Sequence, residues 1–291
     1  MKVVIIGSNG FIGRCLQDFL KEKGFEVQGF SSCTHGGIDS ETGILSDTFL
    51  ISGGTNAVVY LAQSPYYRQL PEMSWHLWNV NMVSAIKAAE IAHRSKVKRF
   101  IYASTGNVYN PSFESLSETS PLRRDSLYSL SKIHAEEALS LYRKYIDLTI
   151  IRIFGIYGPG QTDKLVPNLL NSVLEGKEVY VERNPKDDAD LDGLKVSLCY
   201  IDDAIEILSN LIIKGGPPYI NIAGNKAVSF RKIATSIGYS LKKNTTFKVL
   251  NRYRQFDLIA DISLLKQTLN PQFTSFEIGL EKTIEYITTQ K

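Results

Sequence analysis

Apolar and polar residues follow two rhythms along the first half of the chain. Short continuous apolar runs occur at 2–6 (KVVII), 25–30, 57–62 (AVVYLA), 99–103 (RFIYA) and 148–154 (LTIIRIF). Such runs, bounded by turn residues, predict strands buried on both faces. Segments of helical spacing lie between them: 11–23, stopped by Gly24; 74–94, with Trp75, Trp78, Met82, Ile86 and Ala89 on one stripe; and 126–145. Strands alternating with amphipathic helices predict a parallel sheet covered on both sides. The rhythm changes after Tyr157-Gly158-Pro159-Gly160, where helical segments shorten. Seven of the eleven residues from 182 to 192 carry charge, around Pro185, which predicts a solvated loop. Gly215-Gly216-Pro217-Pro218 is a further break, and no internal repeat is visible.

With 291 residues, the chain has room for about two domains. Its 43% hydrophobic and 22% charged content excludes a disordered or disulfide-scaffold chain. The 33 basic and 30 acidic residues nearly cancel, so neither nucleic acid nor a membrane surface is expected as partner. Cys15, Cys33 and Cys199 are odd in number and far apart, which suits free thiols in a reducing compartment and predicts a cytoplasmic protein. The four histidines lack metal-ligand spacing, so no metal is expected. No uninterrupted apolar run reaches the ~18 residues of a membrane span.

Gly7-Ser8-Asn9-Gly10-Phe11-Ile12-Gly13 stands between the first predicted strand and the first predicted helix. Three glycines there serve a tight turn, close backbone approach to a pyrophosphate, and close packing of helix on strand. The helix start adds amide donors for phosphate. Gly7, Asn9, Gly10, Phe11, Ile12 and Gly13 are therefore the expected cofactor-binding residues of a dinucleotide site. The second strand ends in Ser31-Ser32 with no carboxylate; Glu26 is at its wrong end and Asp39 falls late. Serine hydroxyls tolerate a 2′-phosphate, with Arg14 or His35 in possible reach. The cofactor expected is NAD(P)(H), with NADP slightly favoured over NAD.

Tyr128 and Lys132 form YxxxK on a predicted helix, one turn apart on one face. Bringing a phenol from its reference pKa of about 10 to near 7 needs roughly 4 kcal/mol. An ammonium about 5 Å away supplies roughly 3 kcal/mol at an effective dielectric near 20. A bound oxidised nicotinamide would add a second positive charge. Ser104 and Thr105 follow a predicted strand directly, so their hydroxyls belong at the carboxyl edge of the sheet, where open α/β folds bind ligands. Tyr128, Lys132 and Thr105 are the candidate catalytic residues. Ser104, Thr105 and Tyr128 are candidate substrate contacts.

This constellation resembles the extended short-chain dehydrogenase/reductases, in particular the NAD-dependent epimerase/dehydratase family that modifies nucleotide sugars. GSNGFIG at 7–13, VVYLA at 58–62, Asn79-Val80, YASTGNVY at 102–109, YSLSK at 128–132, RIFGIYGPGQ at 152–161, YIDDAI at 200–205 and YINIAGNKAVSFRKIA at 219–234 carry the resemblance in order, and 260–287 resembles the C-terminal end. The resemblance implies a Rossmann-type doubly wound parallel sheet with a smaller C-terminal α/β substrate lobe. Residues 1–158, with returning segments about 199–213 and 251–265, would form the NAD(P)-binding domain, and 159–291 mainly the substrate lobe. It implies hydride transfer between a sugar carbon and the nicotinamide, with Tyr128 moving the proton, Thr105 orienting the oxygen and Lys132 holding the ribose. Leu61 and Ala62 would pass the cofactor, and Arg254 would bind a substrate diphosphate.

Three departures qualify that picture. Gly106 and Asn107 stand where the family's dehydratases carry Asp-Glu, which argues against 4,6-dehydration. Gly155 replaces the usual asparagine before Tyr-Gly-Pro, and Val196 replaces an arginine. The expected function is a nucleotide-sugar epimerase or 4-ketoreductase. The alternatives are a reductase of another small carbonyl compound and a non-catalytic cofactor-binding sensor. The resemblance also implies a homodimer through helices 74–94 and 126–145, with Trp75, Trp78, Leu139 and Tyr142 as candidate contacts.

Overall fold

The computed structural model describes residues 1–289. Five apolar runs become parallel strands: β1 (Lys2–Ile6), β2 (Glu26–Phe30), β3 (Ala57–Tyr60), β4 (Arg99–Thr105) and β5 (Asp147–Ile153). Helices α1 (Phe11–Glu22), α2 (Ser74–Trp78), α3 (Ser84–Arg94) and α4 (Leu127–Ser140) link them, except that a helix-free segment joins β2 to β3. Successive side chains of β1 face opposite ways: Val3 and Ile5 pack with Leu16 and Leu20 of α1, Val4 and Ile6 with Ala85 and Ala88 of α3. Burial on both faces is why these strands read as unbroken apolar runs.

The chain then alternates between the sheet and a smaller lobe. The lobe receives β6 (Gly155–Tyr157), α5 (Leu165–Leu174), β7 (Val179–Arg183) and β8 (Lys195–Tyr200). Helix α6 (Ile201–Lys214) returns to pack on α1, and β9 (Tyr219–Ile222) adds a sixth strand beside β5. The lobe is completed by β10 (Ala227–Ser229), α7 (Phe230–Leu241) and β11 (Phe247–Tyr253); α8 (Ser263–Leu269) packs near β9, and α9 (Phe276–Thr289) on α7. The large sheet runs β2-β1-β3-β4-β5-β9, all parallel. Its direction of winding reverses between β1 and β3, and the carboxyl ends of those strands frame the crevice where open α/β sheets take ligands.

Three sequence expectations are revised. The segment 74–94 is not one regular helix, because a π-turn at Asn79–Val83 separates α2 from α3. Its carbonyls are claimed by buried tyrosines: Tyr60 donates to Val80 O at 2.5 Å and Tyr102 to Asn81 O at 2.6 Å. The charged stretch 182–192 is not simply solvated, because Asp190 turns inward to meet Arg254 and Lys195 at 2.9 Å each. Leu139 is fully buried in the core between α3 and α4, so it is absent from any outer face, whereas Trp75 is 71% exposed.

Candidate active site

A cleft of about 1000 Å³ opens at the carboxyl edge of the large sheet. Its floor is the turn from β1 to α1. Gly7 has φ +92°, and a Cβ there would lie 2.6 Å from the Ala62 nitrogen. A Cβ on Gly13 would lie 2.2 Å from the Gly7 oxygen. Helix α1 begins at Gly10 with no side-chain cap and no acidic residue in its first turn, so its opening amides are left for an anion. Every residue expected to hold the cofactor lines this cleft: Gly7, Asn9, Gly10, Phe11, Ile12, Gly13, Ser31, Ser32, Leu61, Ala62 and Lys132.

The catalytic candidates stand above that floor. Ser126 caps α4 by accepting from Ser129 N. Tyr128, Lys132 and Glu136 follow at four-residue steps, so one helix stripe runs from the cleft into the core. Lys132 is 2% exposed; its Nζ donates to Ala103 O at 2.9 Å and lies 4.9 Å from the centre of the Tyr102 ring. Burial pulls its ammonium down to about 7, against the pull of the Glu136 carboxylate. Tyr128 donates to Gln63 Oε1 at 3.3 Å. Burial pushes its hydroxyl up to about 12, opposed by a hydrogen bond with Thr105. The protein's own groups leave the phenol high, so the near-neutral phenol expected with a bound oxidised nicotinamide depends on that second positive charge. Thr105 Oγ1 accepts Asn107 N at 3.2 Å, so its own proton is the one directed at Tyr128.

Two candidates are placed differently from expectation. Ser104 lines the cleft, but its hydroxyl donates to Glu136. Glu136 is also paired with Arg152 at 2.6 Å inside the protein. Arg254 lies outside the cleft lining and is 2% exposed. Asp190 and Asp257 each hold it at 2.9 Å, so its charge is neutralised before any substrate arrives. It is not a surface arginine, and its Nη1, without a partner among the described residues, lies outside the cleft lining.

The cleft also contains residues that sequence reading set aside or left open. Asp39 lines it at the end of β2, where His35 does not. Asp39 Oδ1 accepts from Thr42 N at 2.7 Å and Thr42 Oγ1 at 2.8 Å, and those bonds hold its carboxyl below the ordinary range. His76 is 5% exposed; Nδ1 lies 2.9 Å from Ser64 Oγ, and Nε2 has no partner among the described residues. Gln161 Oε1 is likewise buried without a partner among them. Buried polar atoms left open along a cleft mark places for ligand atoms. With the glycine cradle, they fit a dinucleotide. The lobe wall is apolar, formed by Leu194, Val196, Leu198, Phe230 and Leu258. At Gly106, a Cβ would lie 2.9 Å from the Phe154 ring.

Comparison with known proteins agrees with this geometry. The chain is 24% identical over 321 residues to an uncharacterized UDP-glucose epimerase of Bacillus subtilis (strain 168), covering 99% of this chain and 98% of that one. It is 27% identical over 253 residues to the UDP-glucuronate 4-epimerase of Thermodesulfobacterium geofontis (strain OPF15), covering 82% of this chain and 73% of that one. The structure of the UDP-glucuronic acid 4-epimerase from Bacillus cereus, in complex with UDP-glucuronic acid and NAD, superposes over 100% of both chains with a TM-score of 0.80 at 24% identity, which shows the fold. Residues 3–223 match the model of one family. The chain therefore belongs to the NAD dependent epimerase/dehydratase family.

Proposed function

We propose that this protein is an NAD-dependent nucleotide-sugar 4-epimerase. The reading is carried by one observation. Tyr128, Lys132 and Thr105 line the same cleft as the Gly7–Gly13 cradle, at the open edge of the sheet. The chemistry supplied by the bound dinucleotide is acceptance and return of a hydride. Glycines 7, 10 and 13 with the α1 amides would hold its pyrophosphate, and Lys132 its ribose. Thr105 would turn its proton from Tyr128 to the sugar oxygen and fix that oxygen's direction. Tyr128 exchanges a proton with the same oxygen. With Tyr128 pushed up to about 12 and Lys132 pulled down to about 7, both by burial, the phenol keeps its proton at neutral pH while the amine gives its proton up far more readily than a free lysine. A positive charge brought close to the phenol is what converts it to a base. No carboxylate stands at 106 or 107, which speaks against elimination of water.

The proposal assigns NAD, not the NADP that Ser31 and Ser32 alone favour. Ser31 Oγ accepts Cys33 N at 3.2 Å and keeps its proton, but Asp39 lines the same cleft. A carboxylate accepts from ribose hydroxyls and repels a 2′-phosphate. A homodimer is also proposed, with the exposed Trp75 on its contact face; light scattering tests it.

Incubation with UDP-, dTDP- and GDP-sugars, with and without added NAD, tests the reading. Epimer formation without net change at ~340 nm, the reduced-nicotinamide band, supports an epimerase. Stoichiometric oxidation of added reduced cofactor supports a ketoreductase instead. Tyr128→Phe is expected to abolish turnover while NAD binding persists, and a fully active variant sinks the mechanism. The apolar lobe wall around Val196 favours a second reading, a reductase of a less polar carbonyl compound. Turnover of such ketones without turnover of any nucleotide sugar would select it.

A further inference from the structure

The proposed substrate carries a diphosphate, and an anion taken into a cleft needs a compensating charge. The places expected to supply one do not. Val196 is apolar, and Arg254 is held by Asp190 and Asp257. Lys195, beside Val196, is paired with Asp190 at 2.9 Å. The cationic side chains lining the cleft are Arg14, Lys132 and Lys164. Arg14 donates to Asn9 O within the glycine loop at 2.9 Å, on the cofactor side. Lys132 is buried on the Ala103 carbonyl. That leaves Lys164.

Lys164 ends the strap 158–164 between β6 and α5, on the substrate side. Its Nζ donates to the Tyr67 hydroxyl at 2.7 Å and lies 4.6 Å from the centre of that ring. The Tyr67 ring is in turn 5.8 Å from the Tyr128 ring. Arg68 lies 5.3 Å from the Tyr67 ring on its own account and donates to Asp163 O at 3.1 Å. These hydrogen-bond partners are a phenol and a carbonyl, so two positive charges stand beside Tyr67 on neutral acceptors. A phenol–ammonium contact is readily exchanged for a charge-assisted bond to an anion.

We propose that Lys164, oriented by Tyr67 and backed by Arg68, is the cation that binds an anionic group of the substrate on the Tyr67 side of the cleft. The chemistry is that of phosphate or carboxylate oxygens, from the diphosphate or from an acid group on the sugar. The assignment rests on the nucleotide-sugar reading above.

Calorimetric titration of the NAD-saturated protein with UDP, UDP-glucose and UDP-glucuronate tests it, using wild type, Lys164→Met and Lys164→Glu. Lys164 is exposed, so neither substitution touches the core. The expected order of affinity is wild type, then Met, then Glu, with the Met variant weakened about tenfold or more. Equal weakening for all three ligands assigns the diphosphate as the anion. Weakening confined to UDP-glucuronate assigns the sugar carboxylate. Unchanged affinities in both variants, with wild-type binding intact, overturn the assignment and leave the nucleotide-sugar reading standing. A wild type that binds neither these three ligands nor their dTDP and GDP counterparts overturns both.

Discussion

Glu136 and Arg152 meet at 2.6 Å inside the protein, their side chains 2% and 4% exposed. Arg152 is the cross-strand neighbour of Ser104, whose hydroxyl also bonds Glu136. The guanidinium further donates to Tyr109 Oη at 3.1 Å and Glu118 O at 3.0 Å. One buried pair therefore ties α4, which carries Tyr128 and Lys132, to the strands that carry Ser104 and Thr105. Breaking such a pair strands a charge in low dielectric and costs about 3–5 kcal/mol. Glu136→Gln should lose stability on that scale in urea unfolding. A double variant Glu136→Gln/Arg152→Met should lose less than the sum of the single changes. Additive losses would show that the two residues are not coupled.

The cradle is equally specific. Gly13→Ala places a methyl 2.2 Å from the Gly7 carbonyl oxygen, a main-chain atom that cannot step aside without moving the loop. NAD affinity should fall by about tenfold or more, while Gly53→Ala, whose Cβ meets nothing within 4 Å, should leave it near wild type. Titration of the two variants by nucleotide fluorescence compares them directly. Equal affinities would remove the cradle from cofactor binding.

Lys132 makes stability depend on pH in a defined direction. Its folded pKa is depressed to about 7, below its ordinary 10.5, so the unfolded chain binds the proton more readily. Stability from this group is full above 10.5, declines as pH falls, and is lost at and below about 7. Relative to Lys132→Met, the wild type should therefore gain stability between pH 7 and 9, by roughly 1.4 kcal/mol per unit at most. Unfolding curves of both proteins across that range measure the difference, in which the other titrating groups cancel. A flat difference would place a charged lysine in the folded site.

Asp39 decides the cofactor in this reading. Asp39→Ser removes that carboxylate and should raise the ratio of NADP to NAD affinity by about tenfold. Dissociation constants for both nucleotides, before and after the change, give the ratio directly. An unchanged ratio would return the selection to Ser31, Ser32 and their surroundings.

The fold was legible because its signals are local. Apolar runs bounded by turns marked β1 to β5, and four-residue spacing placed Tyr128 and Lys132 on one stripe. The π-turn at 79–83 was not legible. It depends on Tyr60 and Tyr102, on two other strands, taking the carbonyls of Val80 and Asn81. The glycine loop was legible from glycines three apart between a strand and a helix. Asp39 was dismissed by counting along the chain, but the turn after β2 folds it back onto the cleft.

By itself, the sequence determined the doubly wound sheet, the glycine cradle and the helix stripe, since each follows from short-range geometry repeated along the backbone. Only the tertiary structure decided which charges are free to act. Arg254 lies 64 residues from Asp190 yet is neutralised by it, Lys164 lies 97 residues from the Tyr67 that orients it, and Lys132 meets the Ala103 carbonyl 29 residues away. A side chain's charge is set by what surrounds it through space, and no spacing along the chain records that.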